Sequence, residues 1–435
     1  MKSVFSADWV VPIEGAPIEY GAVVIAEGRI AAVGPITELG RGRHFSGAAI
    51  VPGFVNAHSH IEYANYAGFG DGLEFGPWLA LHLERKQVLT FEETVAIARL
   101  GAAECLASGI TTIADSSYSG AAAIACAELG LRAIVYLEVF GADPEPALAR
   151  FTDLRQVVDA ALSDRVTLGI SPHAPYTVSP EVYLAVRELG LPVATHLAES
   201  RSEREWMLHG EGPLGAHGEF ILPPAGESGI RLLAHAGALG PETIAAHCVD
   251  LEPDELELLA TYDVAVAHCP RSNGYLGCGI APLTELRRAG VRVGLGTDSP
   301  ASTPSLDIFE EMRAAVTFAR ARERSPSVLA AEDALELATL GSARALGLEQ
   351  EVGSLAPAKR ADLVVVALED TPLVPWENPQ AAVVFGGSPE RVLATLVGGE
   401  MKYEKGGFEW RDLRSRGAAA RERMIAAAPG RVRGT

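Results

Sequence analysis

Six histidines and one aspartate stand where a metal ion could be held. His58, His60, His173, His196, His247 and His268 each lie at or just past the carboxyl end of a short apolar run, and Asp298 closes another. Histidines that merely filled a core or a surface would have no reason to gather at the ends of successive runs. His58-Ser59-His60 is a pair two residues apart, and side chains at i and i+2 of an extended strand point to the same side. With His196 and Asp298 the pair offers three imidazole nitrogens and one carboxylate oxygen. That set suits one zinc ion, or iron(II) under other metal supply, with a position left for water. A bound zinc lowers the pKa of such a water to about 7. Asp298, touching metal and water, could accept the water's proton and later deliver it to a leaving group.

The elements that must bring these side chains together are legible as an alternation. Apolar runs with β character fall at 50–58, 111–115, 132–139, 166–173, 192–197, 243–249, 264–269 and 292–298. Helical patterns fill most of the gaps, at 93–107, 119–129, 181–189, 254–261 and 305–322. Near-continuous apolar strands alternating with helices predict a parallel sheet, and eight of them close an α/β barrel of the (β/α)8 TIM type. Such barrels carry their active sites at the carboxyl ends of the strands, where the histidines lie. An open doubly wound sheet is the competing architecture, but no Gly-x-Gly-x-x-Gly turn follows any strand.

The two ends read differently. Residues 1–50 are short β-prone runs separated by glycines, and 353–403 repeat the pattern as ADLVVVAL, AAVVFG and VLATLVGGEMKY, all read as strands. Neither end has enough strands to bury a sheet face alone. The expectation is one small β-sandwich domain built from both termini, divided as 1–50, a barrel over 51–350, and 351–409. The stretch 410–435 is expected to be a tail, with a charged, solvated helix over about 410–428.

Composition narrows the partners. Among 435 residues, 48% are hydrophobic and 21% charged, as in an ordinary folded globule. The formal net charge of −20 repels phosphate backbones and anionic lipid, so neither nucleic acid nor a membrane surface is an expected partner. The opening MKSVFSADWVVP does not read as a basic-then-apolar leader, so none is expected, and no apolar run reaches the ~18 residues of a spanning helix. Five cysteines without a Cys-x-x-Cys pair suit a reducing compartment, so the expected location is the cytoplasm. A small-molecule substrate is expected, and a homodimer is open.

Taken in order, VPGFVNAHSHIEY, THLAES, AHCVD, AHCPRSN, GLGTDSPAS and the tail GSLAPAKRADLVVV resemble the amidohydrolase superfamily, in its branch of cytosine- and adenosine-type deaminases. The resemblance covers nearly the whole chain and implies a (β/α)8 barrel with a β-sandwich from both termini. It implies further roles. Glu199, three residues beyond His196, matches the glutamate that shuttles a proton to a ring nitrogen, so that water can attack the adjacent carbon. His247 matches the histidine that polarises the attacking water or the tetrahedral intermediate. His173, in SPHAPYT, matches a histidine that contacts the purine, although a satisfied core histidine is the plain alternative. Many relatives bridge two metals with a carboxylated lysine on the fourth strand. Here no lysine lies between Lys86 and Lys359, so one metal is expected.

His268, Cys248 and Cys269 are read as structural, and His44, His82, His209, His217 and His235 as background in helices or loops. The reaction implied is hydrolytic loss of an amine from the adenine ring of a 5′-modified adenosine. The stretches SNGYLGCGIAPL and EFGPWLALHLERK bring the chain nearest to aminodeoxyfutalosine deaminases of menaquinone biosynthesis, with methylthioadenosine and adenosylhomocysteine deaminases beside them. Trp78 falls in that stretch as a substrate-binding candidate. Glu84, or else Glu74, is a candidate for the ribose hydroxyls, with a solvated helix charge as the plain alternative. Competing readings are a free-base deaminase (guanine, cytosine or a pterin), a triazine chlorohydrolase, against which Glu199 argues, and a non-catalytic scaffold.

Overall fold

The computed structural model describes residues 2–217, 221–369, 371, 374 and 377–428. Its first four strands are β1 (Lys2–Val10), β2 (Ile18–Ala26), β3 (Arg29–Pro35) and β4 (Arg43–Pro52), and three more come from the far end: β13 (Leu363–Ala367), β14 (Val392–Val397) and β15 (Glu400–Glu404). They form one seven-stranded sheet in the order β15-β14-β13-β4-β1-β2-β3. The two ends of the chain meet where β13 pairs antiparallel with β4, Leu363 opposite Pro52 and Ala367 opposite Ala48. The alternating apolar residues of both halves, among them Val23, Ile25, Ile50, Leu363 and Leu396, enclose one shared core. Burying a joint face is what neither terminal half could do alone.

Between these halves lie β5 (Phe54–Ser59), β6 (Ile110–Ser117), β7 (Arg132–Val139), β8 (Val166–Pro172), β9 (Val193–Leu197), β10 (Thr243–His247), β11 (Ala265–His268) and β12 (Val293–Leu295). Their ladders are all parallel and run consecutively from β5 to β12. A parallel bridge between Ser59 and Asp298, with Asp298 N–H donating to His58 O at 3.0 Å, brings the last strand back to the first. Inside, Ala57, Ala114, Ile134, Tyr136, Ala194 and Ile244 pack together. This filling makes the barrel a solid support rather than a pore.

Two expectations from the ends of the chain are corrected. AAVVFG is not a strand but the core of the helix Pro379–Gly386. The side chain of Asn378 accepts from Gln380 N and Ala381 N, and Pro379 occupies the first turn, so capping chemistry overrides the β-prone valines. The helix Trp410–Ala427 is not a solvated tail: Gly417, Ala420 and Met424 are buried at helical spacing. It packs on the helix Phe91–Ala107, with Trp410 and Leu413 against Ala64, Ile97 and Leu100. Residues 429–435 lie outside the described residues. Among the described residues, no helix is long and apolar enough to cross a membrane.

Candidate active site

The four side chains of the metal set reach the same rim from three strands. His58 lies near the end of β5 with His60 one residue beyond it, His196 lies in β9, and Asp298 stands in the turn after β12. His60 Nε2 is 3.1 Å from His196 Nε2, and Asp298 Oδ1 is 3.4 Å from His58 Nε2 and 3.6 Å from His60 Nε2. Donors bound at 2.0–2.2 Å to one ion are separated by roughly 3–3.6 Å, so these spacings fit a single cation. His58 Nε2 is buried and finds no protein partner, as a nitrogen aimed at an ion should. The four residues are nearly sealed, with Asp298 5% and His58 4% exposed.

Neighbouring groups fix which atoms face the centre. His60 Nδ1–H donates to Ser116 O at 2.7 Å and His196 Nδ1–H to His173 O at 2.9 Å, which leaves both Nε2 lone pairs free. Ser272 and Ser302 each donate a hydroxyl to Asp298 Oδ2 at 2.6 Å, so Oδ1 alone remains for the centre. Burial pushes the Asp298 carboxyl up, but the His58 imidazole beside it and the charges of His247 and His60 hold it well below the usual range. Gly296 is required here: a Cβ on it would lie 2.9 Å from His58 Cβ. His247 and Asp298 both hold left-handed backbone, with φ of 75° and 56°. Such a conformation costs of order 1–3 kcal/mol at a non-glycine residue and collects at working sites.

Glu199 and His247 stand beside the metal set. His247 Nε2 is 3.6 Å from Glu199 Oε1, and its Nδ1–H donates to Asn273 Oδ1 at 2.9 Å. Burial pulls the His247 imidazole down, yet Glu199, Asp298 and Asn273 together leave it raised. Burial carries the Glu199 carboxyl up to about 7, against the pull of His247. The loop that presents Glu199 is fastened by Glu203, which accepts from Ala198 N at 3.0 Å and Glu199 N at 2.7 Å. A buried acid poised near neutrality beside an imidazole suits proton transfer.

His173 follows β8 with its ring 4.8 Å from that of His196. Its Nδ1 is 2.9 Å from Thr177 Oγ1, which itself donates to Ala174 O, so Nε2 is left as an acceptor. Trp78 spans to the β12 side, donating Nε1–H to Ala301 O at 3.3 Å. Glu84 and Glu74 are exposed and are not brought to the cluster. Their helix, Phe75–Lys86, turns Leu81, His82 and Arg85 inward instead. His268 is buried with Nδ1 unpartnered and its pKa lowered by burial to about 3.

Of the background histidines, His44 lies in β4 rather than in a loop, and His209 and His235 lie in helices. His82 is buried against Trp78, with Nε2 unpartnered, and the side chain of His217 lies outside the described residues. Sequence reasoning also missed four neighbours of the site. Ser272 and Asn273 sit in AHCPRSN, a motif noticed only for its histidine. Glu138, at the end of β7, carries the same strand-end signal as the histidines. It is 3% exposed, with Oε1 unpartnered and burial raising its pKa to about 7. One of its oxygens lies within 4.8 Å of a nitrogen of His173. Lys86 faces it, donating to Tyr63 Oη at 3.3 Å and lying 3.3 Å over the Tyr118 ring. Burial lowers the Lys86 pKa to about 8 while Glu138 and Glu62 oppose the fall.

Fold and donor set together define a (β/α)8 barrel with a metal-type cluster on its carboxyl rim. Residues 49–402 match the Amidohydrolase family, and the chain belongs to that family. Its similarity to a 5-methylthioadenosine/S-adenosylhomocysteine deaminase of Symbiobacterium thermophilum is 33% identity, covering 93% of this chain and 94% of the relative. A 5′-deoxyadenosine deaminase of Methanothermobacter thermautotrophicus is 32% identical over 91% of this chain and 92% of its own. Among solved structures, an adenosine deaminase from Xanthomonas campestris with bound zinc superposes with a TM-score of 0.86 at 29% identity, covering 97% of this chain and 98% of its own. A triazine hydrolase variant superposes at 0.83 with 21% identity over 96% and 99%, a likeness of fold alone.

Proposed function

We propose that the protein is a metal-dependent aminohydrolase that replaces the exocyclic amine of an adenine nucleoside by oxygen, releasing ammonia. The observation that carries this reading is the approach of Glu199, its pKa raised to about 7, to a cluster of three imidazoles and one carboxylate. A zinc ion held by His58, His60, His196 and Asp298 would supply the positive field that makes water nucleophilic near neutral pH. Asp298 takes the proton of that water at Oδ1, because Oδ2 is already saturated by Ser272 and Ser302. Glu199, carrying its proton, gives it to the ring nitrogen and so prevents an unstabilised anion from forming on attack. His247, held by Asn273, stabilises the oxygen that becomes negative. Asp298 then returns its proton to the departing amine, and the proton left on the attacking oxygen passes to Glu199 as the carbonyl forms, which restores the acid. Water and the aminopurine thus become the oxopurine and ammonia.

In this reading His173 Nε2, left as an acceptor, meets the purine, and Glu138 and Lys86 add one acceptor and one donor suited to substrate hydroxyls. They take the place expected of Glu84. Deamination of adenine nucleosides is supported by the two relatives named for such activities. Aminodeoxyfutalosine is the preferred substrate, on the strength of SNGYLGCGIAPL and EFGPWLALHLERK. Ammonia release by the zinc-loaded protein should be assayed with aminodeoxyfutalosine, methylthioadenosine, adenosylhomocysteine, 5′-deoxyadenosine, adenosine and adenine. The expected result is turnover of nucleosides, fastest with aminodeoxyfutalosine, and none of adenine. A preference for methylthioadenosine would move the substrate assignment within the class. Turnover of free bases alone would overturn the nucleoside reading.

A further inference from the structure

The segment joining His60 to Trp78 has little structure of its own. It contains AGFGDG, with Gly68, Gly70 and Gly72 at φ of 79°, 73° and 77°. Glycines in left-handed backbone lose more freedom on ordering than other residues, so such a loop needs outside fastening. Its own backbone contributes a few turn bonds, Tyr66 N to Tyr63 O, Phe69 N to Tyr66 O and Leu73 N to Gly70 O. Yet it follows a metal-type histidine directly and leads into the tryptophan that reaches Ala301.

The fastening comes from the last helix of the chain. Arg421 donates to the carbonyls of Asn65 and Ala67, the latter at 2.8 Å, and its guanidinium lies 4.1 Å over the Phe69 ring. Asn65 Nδ2 donates back to Gly417 O at 3.1 Å. Met424 is fully buried in a cluster with Tyr66, Phe69 and Ala301. From the other side, Arg85 donates Nε–H and Nη2–H to Ala428 O at 3.0 and 2.9 Å and sits 3.9 Å over the same Phe69 ring. An arginine on the terminal carbonyl of a helix also meets the negative end of its dipole. Arg423, paired with Glu93 at 2.6 Å, ties the helix down to its neighbour Phe91–Ala107. The contacts continue inward, with Tyr66 and Trp78 both packed on His82.

We propose that the helix Trp410–Ala427 is a positioning element of the active site, in which Arg421 and Met424 hold the glycine-rich loop 65–72 and thereby set Trp78 against the turn that carries Asp298. This rests on the proposed function, since Trp78 is taken as a wall of the substrate chamber. Arg421 is a positioning residue, acting on substrate binding through the loop. The test uses the full-length zinc-loaded protein and its Arg421→Ala and Arg421→Lys variants. It reads kcat, KM for an adenine nucleoside, zinc content, and amide hydrogen exchange of residues 64–80. Arg421→Ala should raise KM about tenfold with kcat within about threefold, keep its zinc, and exchange faster in 64–80 while the barrel strands are unchanged. Arg421→Lys should recover part of the loss, because an ammonium keeps the charge without the two-pronged donor; should the alanine variant not fold, the lysine variant carries the same readouts. Unchanged KM with unchanged loop exchange overturns the proposal, as does loss of zinc or of kcat at constant KM. If the wild-type protein deaminates no nucleoside, the functional reading falls, and the exchange of the loop still decides whether the helix holds it.

Discussion

Among the places where the described residues bury charge, two treat it in opposite ways. Where β7 begins, Arg132 donates Nε–H and Nη2–H to the two oxygens of Asp362 at 2.9 and 3.2 Å, and Gly398 N–H adds a third bond at 2.6 Å. The partners join the barrel to the terminal sheet, and every oxygen of the carboxylate is occupied. At the opposite ends of the strands, His58 Nε2, Glu138 Oε1, His268 Nδ1 and Asn273 Nδ2 are buried without a protein partner. An unpaired buried polar atom costs about 1–3 kcal/mol, so four of them on one rim are a standing cost that folding alone does not explain. The closed pair joins two parts of the fold, and under the proposed function the open set would meet an ion and a substrate.

That contrast is broken most severely by removing a metal-type residue. His58→Ala or Asp298→Ala is expected to abolish turnover and lose zinc, which elemental analysis of the purified protein reads. Retention of stoichiometric zinc by both would deny the open set its purpose. Glu199→Gln should keep the metal and lose roughly 10²–10⁴ in kcat; steady-state rates equal to wild type would remove Glu199 from proton transfer. On the closed side, Asp362→Ala leaves a buried guanidinium uncompensated and should cost about 3–5 kcal/mol of stability. Chemical denaturation measures this, and the folded fraction should keep its kcat. A loss of kcat in that fraction would blur the two regions into one.

The smallest effect is a matter of pH. Burial raises Glu199 to about 7, so its carboxyl keeps the proton below that value and gives it up above. If the protonated form feeds the ring nitrogen, kcat/KM should fall as pH rises through about 7. The falling limb should vanish in Glu199→Gln, whose amide does not titrate. A limb that persists unchanged in the variant would belong to another group.

Much of the barrel was legible because its signals are local. Seven of the eight apolar runs between 50 and 298 are single strands in the structure with ends moved by a few residues, and the first, 50–58, is divided at Gly53 between β4 and β5. The eighth is the most shortened, at Val293–Leu295, because Gly296 and the left-handed Asp298 turn the chain early to reach His58. His58, His60, His196, His247 and Asp298 could be picked out because polar residues at the ends of apolar strands break a pattern, whereas Glu199 entered through the resemblance carried by THLAES. Glu84 lies away from the cluster for a rotational reason. On a helix one residue is a turn of about 100°, and the pattern does not say which neighbour faces inward; Lys86 lies over the Tyr118 ring while Glu84 is exposed.

Sequence alone determined what is set by spacing and propensity: the alternation, the His-x-His pair on one side of a strand, and the count of strands that lets a sheet close. Only the tertiary structure decided what depends on partners distant along the chain. It turned the valines of 381–386 into a helix through a cap at Asn378, and it drew the final helix onto the loop beside the site through Arg421. It also chose which oxygen of Asp298 is free, by placing Ser272 and Ser302 on the other. The physical reason is one of range. Backbone preference and side-chain periodicity act over a few residues, whereas burial and hydrogen-bond satisfaction are settled when the whole chain is in place.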